Sequence, residues 1–256
     1  MKKYIHDLEI VNNKRLSESY YLLELSYNHP LPEILPGQFA EVAISGTDTV
    51  FLRRPLSIHD VNYKKNSLSL LVQIVGKGTK HLANISIGQT INVIYPLGKG
   101  FQLIKPKEKA FLIGGGCGIA PLLYLARHLK AIGIEVSTLI GVKSNEYLIE
   151  IENYKQFGKV FITTEDGSEG TKGFVINHPV FNSLNSYKKI YTCGPEVMMK
   201  AIAKRALEAG VECEVSLENT MACGIGACLC CVTETKEGNK CVCTEGPVFN
   251  IKELVW

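Results

Sequence analysis

Cysteines crowd the end of this chain: Met221-Ala-Cys-Gly-Ile-Gly-Ala-Cys-Leu-Cys-Cys231 holds four, and Cys241 and Cys243 follow within twelve residues. Thiols at this density commit a segment either to crosslinks or to a metal, and each choice dictates a different backbone path. The total of nine is odd, which suits a disulfide framework poorly. The opening Met1-Lys-Lys-Tyr-Ile-His-Asp-Leu-Glu-Ile alternates into a strand and lacks the apolar stretch of a signal peptide. No apolar run approaches bilayer length. A soluble, cytoplasmic chain is the expectation, and in a reducing compartment clustered thiols serve metals or catalysis rather than crosslinks.

The spacing then separates the metals. Cys223-x4-Cys228-x2-Cys231 with a distant fourth cysteine matches the plant-type [2Fe–2S] arrangement. A zinc site more naturally shows two CxxC pairs. Here Cys228-x2-Cys231 is one such pair, and Cys241-x-Cys243 is too tight to be the second. Gly224-Ile-Gly-Ala227 is rich in small residues, so its backbone can wrap a compact cluster and point N–H groups at the sulfurs. Spacing selects Cys231 over Cys230 but does not choose between Cys241 and Cys243.

The rest of the 256 residues divides by pattern. Up to about residue 103 the chain reads as β. The runs are Tyr20-Tyr-Leu-Leu-Glu-Leu, Gln38-Phe-Ala-Glu-Val-Ala-Ile, Leu68 to Val75 and Thr90 to Tyr95, with turn signals between them. Short strands at this spacing predict a small antiparallel barrel, with one short helix over Thr79 to Ile85. From Ala110 strands alternate with helices: Pro121 to Ile132 and Glu196 to Ala209 carry apolar residues at helical spacing and stop at Gly133 and Gly210. That alternation predicts an open parallel sheet. The segment 213–256 is cysteine-rich, with a hairpin around Glu237-Gly238-Asn239. The expected fold class is α+β and α/β multidomain, in three parts: 1–103, 104–212 and 213–256. A net charge of +3 with lysines and acids interspersed leaves no phosphate-tracking stripe, which argues against nucleic acid.

Two glycine turns carry nucleotide chemistry. Gly114-Gly115-Gly116-Cys117-Gly118-Ile-Ala-Pro121 joins a strand to a helix. Glycines there allow close backbone approach to a pyrophosphate, and the helix N-terminus offers unpaired N–H groups. Pro121 suits a first helical turn but occupies the last glycine of a GxGxxG fingerprint. Cys193-Gly194-Pro195 likewise follows an apolar strand and opens a helix, at the strand ends where such sheets bind ligands. In the first part, Leu52-Arg-Arg-Pro-Leu-Ser-Ile58 lies between β segments, where Arg54 and Ser57 offer phosphate and hydrogen-bond contacts. Gly76-Lys-Gly78-Thr79 precedes the short helix.

Arg-Pro-x-Ser, Gly-x-Gly-Thr, GGGxGxxP and Cys-Gly-Pro in this order resemble the ferredoxin–NADP reductase superfamily, enzymes with an FAD barrel and an NAD sheet. The resemblance implies FAD contacts at Arg54, Pro55, Leu56 and Ser57, at Leu71, Val72 and Gln73, and at Gly78 and Thr79. It implies NAD contacts at the two glycine turns. Met-Ala-Cys-Gly-x-Gly-Ala-Cys followed by Val-Cys-x-x-Gly-Pro-Val-Phe is similar to the electron-transfer subunits of class 1B dihydroorotate dehydrogenases, across essentially the whole chain. That resemblance implies Cys243, before Thr244-Glu-Gly-Pro-Val-Phe249, as the fourth ligand beside Cys223, Cys228 and Cys231. It also implies an FMN-containing catalytic partner in a heterotetramer of two plus two, with electrons passing through the cluster and FAD to NAD⁺ in pyrimidine biosynthesis. Small subunits of NADH-dependent ferredoxin:NADP oxidoreductases and sulfide dehydrogenases share the layout; a zinc-bearing binding module is the alternative of another class. Val142-Lys143-Ser144 offers no arginine for a 2′-phosphate, so NAD(H) is expected over NADP(H). No general acid or base is demanded by this hydride chemistry.

Overall fold

Six strands close into an antiparallel barrel because their inward residues alternate with outward ones at the two-residue pleat. The structure, a computed structural model, describes residues 2–46 and 49–256. The barrel strands are β1 (Tyr4–Arg15), β2 (Tyr20–Ser26), β3 (Phe39–Val42), β4 (Arg54–Asn62), β5 (Ser67–Gln73) and β6 (Thr90–Leu97), with α1 (Lys77–Leu82) between the last two. Their order is β1-β2-β5-β4-β3-β6. Leu8, Leu23, Val42, Ile58, Leu70 and Val93 fill the interior.

The expectation that Leu52 to Ile58 lies between strands is corrected: Arg54–Ser57 opens β4 and pairs with β3 from Val42 to Phe39. Pairing between β4 and β5 begins only at Ile58 and Leu70. Pro55 therefore stands on a stretch with one open edge, the place a sheet tolerates proline.

A second sheet follows: β7 (Lys109–Gly115), α2 (Leu122–Ala131), β8 (Glu135–Val142), α3 (Ile151–Lys155), β9 (Gly158–Thr164), β10 (Thr171–Lys172), β11 (Lys189–Cys193), α4 (Glu196–Glu208) and β12 (Glu212–Ser216). The hairpin β13 (Val232–Thr235) and β14 (Gly238–Cys241), the single turn α5 (Val242–Glu245) and β15 (Val248–Asn250) complete the chain. The seven-stranded order is β10-β9-β8-β7-β11-β12-β15. All its pairs are parallel except β12 with β15. The order reverses between β7 and β11, so the crevice beyond their carboxyl ends is where an open α/β sheet binds ligands.

One apolar cluster joins all three regions. Phe39 and Leu97 of the barrel, Phe111 and Val215 of the sheet, and Cys231, Val242 and Cys243 of the C-terminal segment pack in a single core. A buried Lys189–Glu214 ion pair at 2.8 Å links β11 to β12, and Gln102 bonds to both of these residues. Among the described residues no helix is long and apolar enough to cross a membrane.

Candidate functional site

Where β4 and β5 stop pairing, a seam opens in the barrel wall. Arg54, Pro55, Leu56 and Ser57 form one lip, half-buried, and Leu71, Val72 and Gln73 form the other. Gly78 closes the end of the seam: a Cβ there would lie 2.7 Å from Arg54 Nε. The Arg54 side chain is held by the carbonyls of Leu52 and Arg53 at 2.9 and 3.0 Å. Thr79 is buried, and its hydroxyl accepts the N–H groups of Val75 and Gly76, so it secures the start of α1. These features fit FAD: a planar ring needs a slot, and its phosphates need backbone N–H groups beside a guanidinium.

A cavity of about 600 Å³ lies beyond the ends of β7 and β11. Gln73, Gly115, Gly116, Gly118 and Pro195 line it, together with Tyr20, Cys117 and Glu218. The 3-10 turn Gly116–Ile119 carries the chain from β7 toward α2. Gly118 is required there, since a Cβ would fall 2.3 Å from the Cys193 carbonyl oxygen. Gly114, Pro121, Cys193 and Gly194 are not among the residues that line it. Cys193 is fully buried, and its thiol lies 3.4 Å from Glu218 Oε1. Burial pushes both groups above their ordinary values, and for Cys193 the neighbouring Glu218 adds to the effect. A protonated thiol donating to Glu218 is the arrangement this favours. Nothing in the sequence pattern marked Glu218 or Tyr20; both enter through long-range packing.

The cysteines converge as two pairs. Cys223 Sγ accepts N–H groups from Ile225, Ala227 and Cys228 at 3.3–3.5 Å. Desolvation opposes ionisation, but these donors prevail and bring the Cys223 thiol down to about 6. The Cys228 side chain meets it. Cys231 and Cys243 are buried together, with the Cys243 N–H 3.4 Å from Cys231 Sγ. Burial and Cys231 raise the Cys243 thiol to about 12. Cys241 is half-buried at the start of α5, where its N–H bonds to Glu245, and Cys230 is exposed. Among the described residues no three metal-ligating side chains close around one point. Two thiol pairs backed by amide donors fit a cluster that carries two irons.

The cysteine loop rests on the barrel. Gly224, at φ +66°, comes so near β3 that a Cβ would lie 2.4 Å from Glu41 Cγ. Glu41 is fully buried, and among the described residues neither carboxylate oxygen has a hydrogen-bond partner. Its strand pairs with the Arg54–Ser57 stretch, so the loop and the seam share one wall.

Comparison with known proteins matches these regions in turn. Residues 7–101 match an oxidoreductase FAD-binding domain and residues 112–204 an oxidoreductase NAD-binding domain. Residues 218–255 match the iron–sulfur cluster binding domain of dihydroorotate dehydrogenase B. The electron transfer subunit of dihydroorotate dehydrogenase B (NAD(+)) from Fusobacterium nucleatum is 36% identical over 254 residues, with 96% of each chain covered. Its counterpart from Shouchella clausii is 36% identical over 261 residues, with 100% of both chains covered. The chain belongs to the electron transfer subunits of dihydroorotate dehydrogenase B. FAD, NAD and an iron–sulfur cluster are accordingly the cofactors of this oxidoreductase subunit. A solved NADH-dependent reduced ferredoxin-NADP oxidoreductase is 30% identical with a TM-score of 0.85, covering 97% of this chain and 90% of that one. Phthalate dioxygenase reductase, at 17% identity and a TM-score of 0.67, shares the fold.

Proposed function

We propose that the subunit carries electrons from an FMN-containing dihydroorotate dehydrogenase catalytic subunit to NAD⁺, in a cytoplasmic heterotetramer of two plus two. The observation that carries this reading is the contact between the cysteine loop and β3, the strand paired with the seam. Thiols and flavin contacts on one wall make a short path for electrons. Cys223, Cys228, Cys231 and Cys243 hold the cluster; Arg54, Pro55, Leu56, Ser57, Leu71, Val72, Gln73, Gly78 and Thr79 form the flavin site. Gly114, Gly115, Gly116, Gly118, Pro121, Cys193, Gly194 and Pro195 shape the nicotinamide nucleotide site.

When bound, FAD supplies both two-electron and one-electron chemistry, which a nicotinamide alone does not do readily. The chain's own residues bind and orient. Arg54 grips phosphate, the glycine turn lets a dinucleotide approach the backbone, and buried Leu71 and Val72 exclude water behind the flavin lip. Cys193 and Glu218 keep a proton between them at the cavity wall. The amide donors on Cys223 Sγ stabilise its thiolate for metal.

Likeness to the ferredoxin-NADP oxidoreductase chain supports a second reading with another partner. Cysteine at all four expected ligand positions favours the first. Co-purification with the catalytic subunit, followed by dihydroorotate-dependent NAD⁺ reduction, tests it. Reduction at a rate comparable with NADP⁺, or none without ferredoxin, overturns the first reading.

A further inference from the structure

A set of polar side chains is buried where the barrel meets the parallel sheet. The glycine turn leaves the cavity through Ile119 and Ala120 before α2 begins. Two carbonyls at this exit are held from opposite sides. The Tyr154 hydroxyl, from α3, donates to Ile119 O at 2.5 Å. His59 Nδ1, from β4, lies 2.8 Å from Ala120 O. Both side chains are 1% exposed.

The hydrogen-bond roles of His59 follow from its partners. A carbonyl only accepts, so Nδ1 carries a hydrogen. Nε2 has no hydrogen bond among the described residues, and the Glu150 carboxylate stands 3.5 Å away. His59 thus bonds the glycine-turn exit through Nδ1 and turns Nε2 toward Glu150, a buried contact that spans the barrel and the sheet. Glu150 is itself fixed: the Asn153 amide donates to it, and its backbone sits at φ +60°, a region costly for a residue with a side chain. Its carbonyl accepts the Tyr154 N–H at 3.3 Å. One residue thus braces both arms. Alongside, Arg127 of α2 and Asp60 of β4 make a second tie at 2.8 Å.

We propose that His59, Glu150 and Tyr154 are positioning residues for the nucleotide, a buried clamp that pins the exit of the glycine turn so that Gly115, Gly116 and Gly118 face the bound dinucleotide. The proposal rests on the cavity being the NAD(H) site. His59 lies two residues beyond Ser57 on β4, so the clamp also sets the turn in register with the flavin lip. A merely structural contact would change stability and leave nucleotide affinity alone.

The test uses the purified subunit loaded with FAD and cluster, with NADH as donor and ferricyanide as acceptor. Tyr154→Phe and His59→Leu each raise the KM for NADH by about tenfold, the size of one lost buried hydrogen bond. Their kcat and FAD content stay at the wild-type level. His59→Gln, which keeps a donor for Ala120 O, restores most of the affinity. An unchanged KM in Tyr154→Phe overturns the clamp, whether or not His59→Leu folds. A lower melting temperature without a KM change, or a KM change that Gln does not rescue, also overturns it. Failure of the wild-type subunit to oxidise NADH saturably is a different result: it removes the cavity's assignment, and the clamp with it.

Discussion

Residues 114–121 and 223–231 are both glycine-rich stretches that, in the reading proposed above, turn backbone N–H groups toward an electron-rich group. Their surroundings differ. The first runs from β7 into α2, with regular elements on both sides and its exit carbonyls bonded to Tyr154 and His59. The second has no helix or strand between Ser216 and Val232. Its internal bonds converge on one sulfur, Cys223. Beneath it lies Glu41, a buried carboxylate with no donor among the described residues. The turn is held by the fold and receives a ligand. The loop's internal bonds centre on sulfur, so in that reading the metal would become part of its structure, as in small metal-organised domains.

Cys243→Ser tests the loop side of this contrast with the largest effect. It removes the thiol paired with Cys231, and the purified subunit should lose its cluster's visible and EPR signals while keeping FAD at the wild-type ratio. Cys241→Ser, at the half-buried start of α5, should keep both. Iron lost from Cys241→Ser and retained in Cys243→Ser would reverse the ligand assignment.

A pair of glycine substitutions should then separate the two regions. Gly118→Ala places a methyl against the Cys193 carbonyl. It should raise the KM for NADH at least tenfold and destabilise the fold by about 2 kcal/mol, in the range of other steric core insults. The cluster spectrum should not change. Gly224→Ala meets Glu41 and needs a left-handed backbone; it should lower iron content and spare NADH affinity. The contrast fails if either variant damages both functions equally.

Local pattern made much of this readable. Strand and helix periods, the glycine turn and the cysteine spacing are short-range signals, and each element they mark is present, although the short helix expected over Thr79 to Ile85 runs over Lys77–Leu82 and so includes Gly78 and Thr79. Arg54–Ser57 was hidden because proline and paired arginines imitate a connection, whereas the strand exists through its pairing with β3. The partners of the buried polar groups were also out of reach. His59 finds Ala120 sixty-one positions away, and Cys193 finds Glu218 twenty-five away. Such contacts depend on closing the barrel against the sheet, which no window of sequence contains. Thr79 shows the reverse: its hydroxyl serves the turn next to it, as a local motif would.

The smallest effect concerns Glu41, whose lack of partners sets the loop's support apart from the clamp under the turn. Burial raises this carboxyl from 4.5 to about 7, with Cys223 adding to the rise and Arg53 and Arg54 opposing it. A native state that holds a proton more tightly than the unfolded chain gains stability at low pH. Glu41 therefore favours folding of the metal-free subunit below about pH 4.5, and that contribution is lost as pH climbs through 7. Glu41→Gln has no proton to lose, so its stability relative to wild type should improve steadily from pH 5 to 7.5 and then level off. Urea midpoints of the two metal-free proteins across this range measure it. Parallel profiles would mean that Glu41 is satisfied in solution, and that the loop and the turn are supported alike.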